Sequence, residues 1–218
     1  MIPPVRATGW SATERLLLCN PTPIYSVEQR RSLLRVAAKS LAHGIEARRP
    51  LRVDALTYDQ PLQQIRGTFV TLRRDGRLRG CMGTLKARRS LVEDVAHNAY
   101  ASATRDPRFE AVTADEVLHL SIQVSVLSDA VPIEFSSRED LLGCIRPGVD
   151  GLIVRSGSGS HTGTLLPAVW DYLPDVAQFW EQLLAKAGLP ADYWDDDLTV
   201  QRYTAESFGG KVAGESSS

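Results

Sequence analysis

Two runs of β-forming residues separated by Asp75-Gly76 constrain this chain more than any other feature. Gln64 to Leu72, centred on Thr68-Phe69-Val70-Thr71, reads as a strand. Asp and Gly both tolerate the positive φ of a tight turn, so Leu78-Arg79-Gly80-Cys81-Met82-Gly83-Thr84 returns antiparallel beside it. In a regular strand Leu78, Gly80 and Met82 point to one face, and Arg79, Cys81 and Gly83 to the other. That places Arg79 and Cys81 side by side. Gly80 and Gly83 bare the backbone around the thiol, so another backbone or a ligand can approach closely. An adjacent guanidinium favours the thiolate, the reactive form of cysteine. Arg79 and Cys81 are therefore the candidate catalytic pair. The competing reading of Cys81 is a buried structural thiol, and that of Arg79 an ion pair with a neighbouring strand or with Asp106.

Helices are announced by their caps. Ser26-x-x-Gln29 opens one whose apolar residues Leu33, Ala37, Leu41 and Ile45 recur every four positions, with Gly44 as a stop. Ser90-x-x-Glu93 opens a second, with Leu91, Val95, Ala99 and Ala103 on its packing face; Asp106-Pro107 ends it. Thr113-x-x-Glu116, Ser137-x-x-Asp140 and Asp175-x-x-Gln178 mark shorter ones. Strands are expected at Leu118–Leu127, Gly151–Arg155 and Thr199–Tyr203. Hairpin-length links predominate, so the fold class is α+β, a largely antiparallel sheet flanked by helices. Residues 1–25, with Pro3, Pro4, Pro21 and Pro23 around a short helix at Ser11–Leu18, form an N-terminal extension. Residues 26–208 form the domain, and the small, polar residues 209–218 a disordered tail.

A chain of 218 residues, 43% hydrophobic, can bury one substantial core or divide it between two lobes. The net charge of −1 argues against a protein whose main task is coating nucleic acid. The charge is unevenly spread. Residues 66–89 hold eight Arg or Lys against Asp75, whereas residues 171–197 hold seven Asp or Glu against Lys186. Such a split can steer an anionic ligand to one side, or it is a solvated basic hairpin. The cysteines, Cys19, Cys81 and Cys144, form no C-x-x-C pair, and the four histidines form no H-x-H or H-E-x-x-H. No metal site and no cofactor are expected. No apolar run approaches the roughly 18 residues of a membrane span, and Leu16-Leu17-Leu18-Cys19 is too short for a signal segment. These features point to reduced thiols in the cytoplasm, away from membranes.

Phe69-Val70-Thr71-Leu72, Leu78-Arg79-Gly80-Cys81-Met82-Gly83-Thr84, Asn98-Ala99 and Asp106-Pro107-Arg108-Phe109 together resemble the AMMECR-type domain family. Val124-Ser125-Val126-Leu127, Gly151-Leu152, Leu165-Leu166-Pro167 and Lys186-Ala187-Gly188-Leu189-Pro190 agree, so the likeness runs from about Ser26 to Phe208. It implies an α+β fold with a larger and a smaller lobe, and a site near Arg-Gly-Cys. It also implies partnership with Memo-like and radical-SAM proteins in a modification pathway. It supplies no activity. Met82 stands where the family usually has isoleucine, and Ala168 where glutamine is common.

Three functions follow as expectations. One is a cysteine-dependent enzyme acting on an anionic or nucleobase-like substrate, with Gly80, Gly83, Asn98, Asp106 and Arg108 as candidate substrate-binding residues beside Cys81 and Arg79. For Asn98 the structural alternative is an amide that satisfies a loop; for Asp106 it is a helix stop. The second is a polyanion- or RNA-binding module using the Arg73–Arg89 hairpin, whose affinity would fall steeply with salt. The third is an accessory subunit whose basic hairpin and acidic 171–197 region are contact surfaces. Gly157-Ser158-Gly159-Ser160 reads as a loop rather than a phosphate cradle, and Asp195-Asp196-Asp197 as a solvated turn.

Overall fold

The computed structural model describes residues 23–211. The expectations for the Ser11–Leu18 helix, for Cys19 and for residues 212–218 fall outside them. In chain order the helices are α1 (Val27–Ala47), α2 (Gln60–Gln63), α3 (Leu91–Thr104), α4 (Ala114–Val117), α5 (Arg138–Cys144) and α6 (Val176–Lys186). The strands are β1 (Thr68–Arg74), β2 (Arg77–Gly83), β3 (Leu120–Leu127), β4 (Val131–Pro132), β5 (Gly151–Arg155), β6 (Thr162–Leu165), β7 (Thr199–Tyr203) and β8 (Ala205–Lys211). All strand pairs are antiparallel, in two four-stranded sheets ordered β2-β1-β3-β8 and β4-β7-β5-β6. The fold is α+β.

The capping boxes do what their chemistry requires. The Ser26 hydroxyl accepts from Gln29 N, and the Gln29 side chain accepts from Ser26 N; Ser90 and Glu93 repeat the exchange. Gly44 does not stop α1. The helix continues to Ala47 and is capped by Arg48 at φ 54°, while Gly44 lets the Tyr100 ring of α3 approach to where a Cβ would stand 2.3 Å from it. α1 and α3 stack and cover one face of the larger sheet. Leu33, Leu41, Val95 and Ala99 pack there on Val70, Leu72, Ile122 and Val124.

A second core, around Leu152, Val154, Phe179, Trp180, Leu183 and Leu184, lies between the smaller sheet and α5 and α6. One ribbon joins the lobes: β7 and β8 are separated only by Thr204, and they pair with β4 and β3 in turn. Ser128 N donates to Thr204 O at 2.9 Å, and Thr204 N to Ser128 Oγ at 2.9 Å. Both ends of the domain extend past the expected limits. Tyr25 is buried in the larger core, and β8 runs through Gly209 and Gly210 to Lys211. No helix among the described residues is long and apolar enough to cross a membrane.

Candidate functional site

The Asp75-Gly76 turn has φ of 50° and 76°, as a tight hairpin requires. Arg74 pairs with Arg77 and Arg73 with Leu78, but Leu72 then pairs with Gly80. Arg79 is the extra residue of a β-bulge. A regular hairpin would have set Cys81 opposite Val70, on the side facing the helices. The bulge shifts the register by one, so Cys81 pairs with Thr71 and Gly80 with Leu72. Every residue beyond Arg79 thereby changes face. This corrects the alternation expected from sequence: Leu78 no longer shares a face with Gly80 and Met82.

The same bulge re-aims Arg79. Its Nε and Nη2 donate to the two carboxylate oxygens of Glu116 at 3.0 and 2.9 Å, and its Nη1 to the Glu110 carbonyl at 2.8 Å. Both side chains are only 16% exposed. The Arg79 hydrogen bonds, reinforced by Thr113 N, pull the Glu116 carboxyl down to about 2. The guanidinium is fully engaged, so Arg79 is not the free cation beside the thiol that its position suggested.

On the helix-covered side, Asp94, Asn98, Ser102 and Asp106 recur every four residues and stitch α3 and its following loop to β1 and β2. Asp94 Oδ2 accepts from Thr68 N at 3.1 Å and from Thr68 Oγ1 at 2.8 Å. Burial pushes this carboxyl up from its ordinary value, against the bonds from Thr68. Its Oδ1 is buried without a hydrogen bond, with Arg89 Nη1 3.5 Å away. Asn98 Nδ2 reaches the Thr68 carbonyl at 3.1 Å and Asp94 Oδ2 at 2.9 Å; Asn98 Oδ1 accepts from Thr84 Oγ1 at 3.3 Å. The Ser102 hydroxyl lies 2.7 Å from the Val70 and Asn98 carbonyls and accepts from Met82 N at 3.0 Å. Asn98 thus holds strands rather than facing open space. Gly80 belongs to this side as well. A Cβ there would stand 2.0 Å from the Ser102 carbonyl oxygen, so the missing side chain admits the backbone of α3.

Asp106 reaches past the edge of the sheet. Its Oδ2 accepts from Cys81 N at 2.8 Å and from Arg108 Nη2 at 2.7 Å; its Oδ1 accepts from Arg108 Nε at 2.9 Å. The Arg108 hydrogen bonds hold the carboxyl well below the usual carboxylate range. Asp106 in turn, with a smaller contribution from Cys81, holds Arg108 above its ordinary value. The Asp106 side chain is 3% exposed and that of Arg108 55%. Arg108 is therefore the cation beside Cys81, and one that solvent and ligands can reach. Cys81 itself is half-buried on the open side of the sheet, where Thr71 Oγ1 donates to its Sγ at 3.3 Å. Gly83 shares that side, with the Phe69 ring laid against it; a Cβ would stand 2.2 Å from the ring.

Thr71 and Ser102 were not anticipated as site residues, and Glu116 was expected only to cap a short helix, not to hold Arg79. The fourfold spacing of polar residues in an apolar helix could have revealed Ser102. Thr71 could not be matched to Cys81 without knowing of the bulge.

The basic hairpin is partly neutralised, since Arg74 pairs with Glu116 at 3.2 Å and Arg89 sits by Asp94. Arg77, Lys86 and Arg88 have no carboxylate partner among the described residues. Residues 156–161 link β5 to β6, with Gly157 N bonded to Asp195 Oδ2 at 3.2 Å. Asp195 Oδ1 accepts from Asp197 N at 3.0 Å, which makes it a turn-former. Among the described residues no cluster of three His, Cys, Asp or Glu could hold a metal ion.

A model of the AMMECR1 family matches residues 34–208. A protein of Methanothermobacter thermautotrophicus is 36% identical over 189 residues, covering 84% of this chain and 95% of its own. Protein MK0488 of Methanopyrus kandleri is 34% identical over 192 residues, covering 84% and 89%. The crystal structure of the uncharacterized protein PH0010 from Pyrococcus horikoshii superposes with a TM-score of 0.74 at 35% identity, covering 81% of this chain and 89% of that one.

Proposed function

The chain belongs to the AMMECR1 family, and we propose that within that family it works as a thiol-centred site for an anionic substrate, with Cys81 as nucleophile and Arg108 as anion anchor. One observation supports this above the others. The Cys81 sulfur stands on the face of the sheet that no helix among the described residues covers, beside a half-exposed guanidinium, while Asp106 accepts from its backbone N–H at the sheet's edge. Such a mount presents a sulfur in a fixed place and leaves it approachable. The step it suits is attack on an electrophilic carbon. The sulfur forms the S–C bond, the leaving group departs with the bonding pair, and the thiol proton passes to water. Among the described residues Cys81 and Cys144 are free thiols, which fits a reducing cytoplasm.

Labelling with limiting iodoacetamide tests the reading. Cys81 is expected to react faster than Cys19 and Cys144, and Arg108→Gln is expected to slow Cys81 alone. Equal rates at all three cysteines would overturn it.

A second reading rests on Arg77, Lys86 and Arg88, which lack carboxylate partners among the described residues. They suit a contact surface for RNA or for an acidic protein partner, of the Memo-like or radical-SAM kind that the family resemblance implies. Charge reversal of the three would abolish that contact and leave the labelling of Cys81 unchanged.

A further inference from the structure

Three rows of residues cross the open face of the larger sheet, and the strand register places them. Nearest the hairpin turn lie Lys211, Ser121, Arg73 and Leu78. Next come Gly209, Gln123, Thr71 and Cys81, then Ser207, Ser125, Phe69 and Gly83. Rows are two residues apart, so the first and third are about 13 Å apart. No carboxylate stands in any of them. Arg73 makes one hydrogen bond, from Nη1 to the Gly76 carbonyl at 3.3 Å, and neither Arg73 nor Lys211 has an acidic partner among the described residues. Ser121 stands between these two cations, Gly209 in the next row carries no side chain, and a basin of about 390 Å³ opens over β3 and β8, lined also by Gln123 and Ser207.

The face therefore has two unlike ends. At one, two cations flank the Ser121 hydroxyl beside the bare backbone of Gly209, which suits phosphate. At the other, the Phe69 ring lies against the bare backbone of Gly83 and makes a flat apolar surface. Hydroxyl and amide groups of Thr71, Gln123, Ser125 and Ser207 lie between them. We propose that this face binds a nucleotide: the base stacks on Phe69, the phosphates sit between Arg73 and Lys211, and the sugar crosses Thr71 and Gln123 beside Cys81. Stacking on sheet aromatics with cations along the phosphates is a sequence-tolerant way to hold such ligands. The spacing of the two ends accommodates a nucleoside triphosphate or two linked nucleotides of a single strand. The inference rests on the thiol-site reading above and names its substrate class.

Calorimetric titration of the full chain at low salt tests it, with ATP in one arm and a five-nucleotide oligouridylate in the other. Binding in either arm is expected, and the arm that binds tells free nucleotide from RNA. Phe69→Leu is expected to weaken binding about 5- to 150-fold, the range for loss of one base stack. Arg73→Gln is expected to weaken it about tenfold and to flatten its salt dependence. Thermal melts establish that each variant is folded. Bound ligand is also expected to protect Cys81 from iodoacetamide. No binding in either arm while Cys81 still labels fastest would overturn this inference and leave the thiol-site reading standing. Binding that survives both Phe69→Leu and Arg73→Gln would overturn it too. Binding lost in those variants while Cys81 labels no faster than Cys144 would support the nucleotide face and overturn the thiol site.

Discussion

The two faces of the larger sheet treat their polar groups in opposite ways. On the covered face Asp94, Asn98 and Ser102 are buried; each bonds to β1, and Ser102 also takes a bond from Met82 N of β2. On the open face Arg73 and Cys81 are half-buried; among the described residues the Arg73 side chain donates one hydrogen bond and the Cys81 sulfur accepts one. The contrast lies within one strand. Gly80 and Met82 lock β2 to α3, and Cys81 between them is presented outward. Much of the residue block that looks built for chemistry is thus a mount, and the chemistry is left to the few side chains on the other side.

Adding one methyl group to the mount is expected to have the largest effect. In Gly80→Ala the new carbon meets the Ser102 carbonyl, a backbone atom that cannot swing away. Urea unfolding is expected to show a loss of about 3 kcal/mol, the upper end of the range for overpacked core sites. A loss below about 1 kcal/mol would mean that α3 is not seated against β2. Next in size is Asn98→Ala, which leaves the Thr68 carbonyl with Thr84 N as its donor and takes one donor from the buried Asp94. A loss of about 2–3 kcal/mol is expected by the same measurement.

The pH dependence of stability sharpens the comparison, because its carboxylates carry opposite signs. Glu116 is lowered from 4.5 to about 2, so the unfolded chain binds its proton first. Its stabilisation is complete above 4.5 and is lost as pH falls through about 2. Asp106 acts in the same direction. Asp94 is raised by burial, so its contribution is present at low pH and lost as pH rises through its folded value. In melts across pH 2–7, Glu116→Gln is expected to flatten the acid limb and Asp94→Asn the opposing slope. A wild-type acid limb that Glu116→Gln leaves unchanged would refute the locked Arg79–Glu116 pair.

The smallest effect is expected on the open face. Gln123→Ala and Ser125→Ala should each change stability by no more than about 0.5 kcal/mol, as at surface sites free of structural duties. A loss above about 1.5 kcal/mol in urea unfolding would show that this face, too, is structural.

Much of this was legible in the residues themselves. The Asp75-Gly76 turn, both capping boxes and the α+β class follow from interactions between residues a few positions apart, which sequence displays directly. β8 was not legible. Ala-Glu-Ser-Phe-Gly-Gly-Lys has little strand propensity, and it becomes a strand because β3, some 80 residues earlier, offers its edge. The candidate site divides the same way. Cys81, Asp106 and Arg108 could be singled out from their neighbours, but which arginine would stand beside the thiol could not. A one-residue bulge sends Arg79 to Glu116 and turns Cys81 from the helix side to the open side. Sequence determined the local pieces, because turns and caps are satisfied within a few residues. Tertiary structure decided register and partner, because a bulge is stable only if a distant group, here Glu116, takes up the side chain that it displaces.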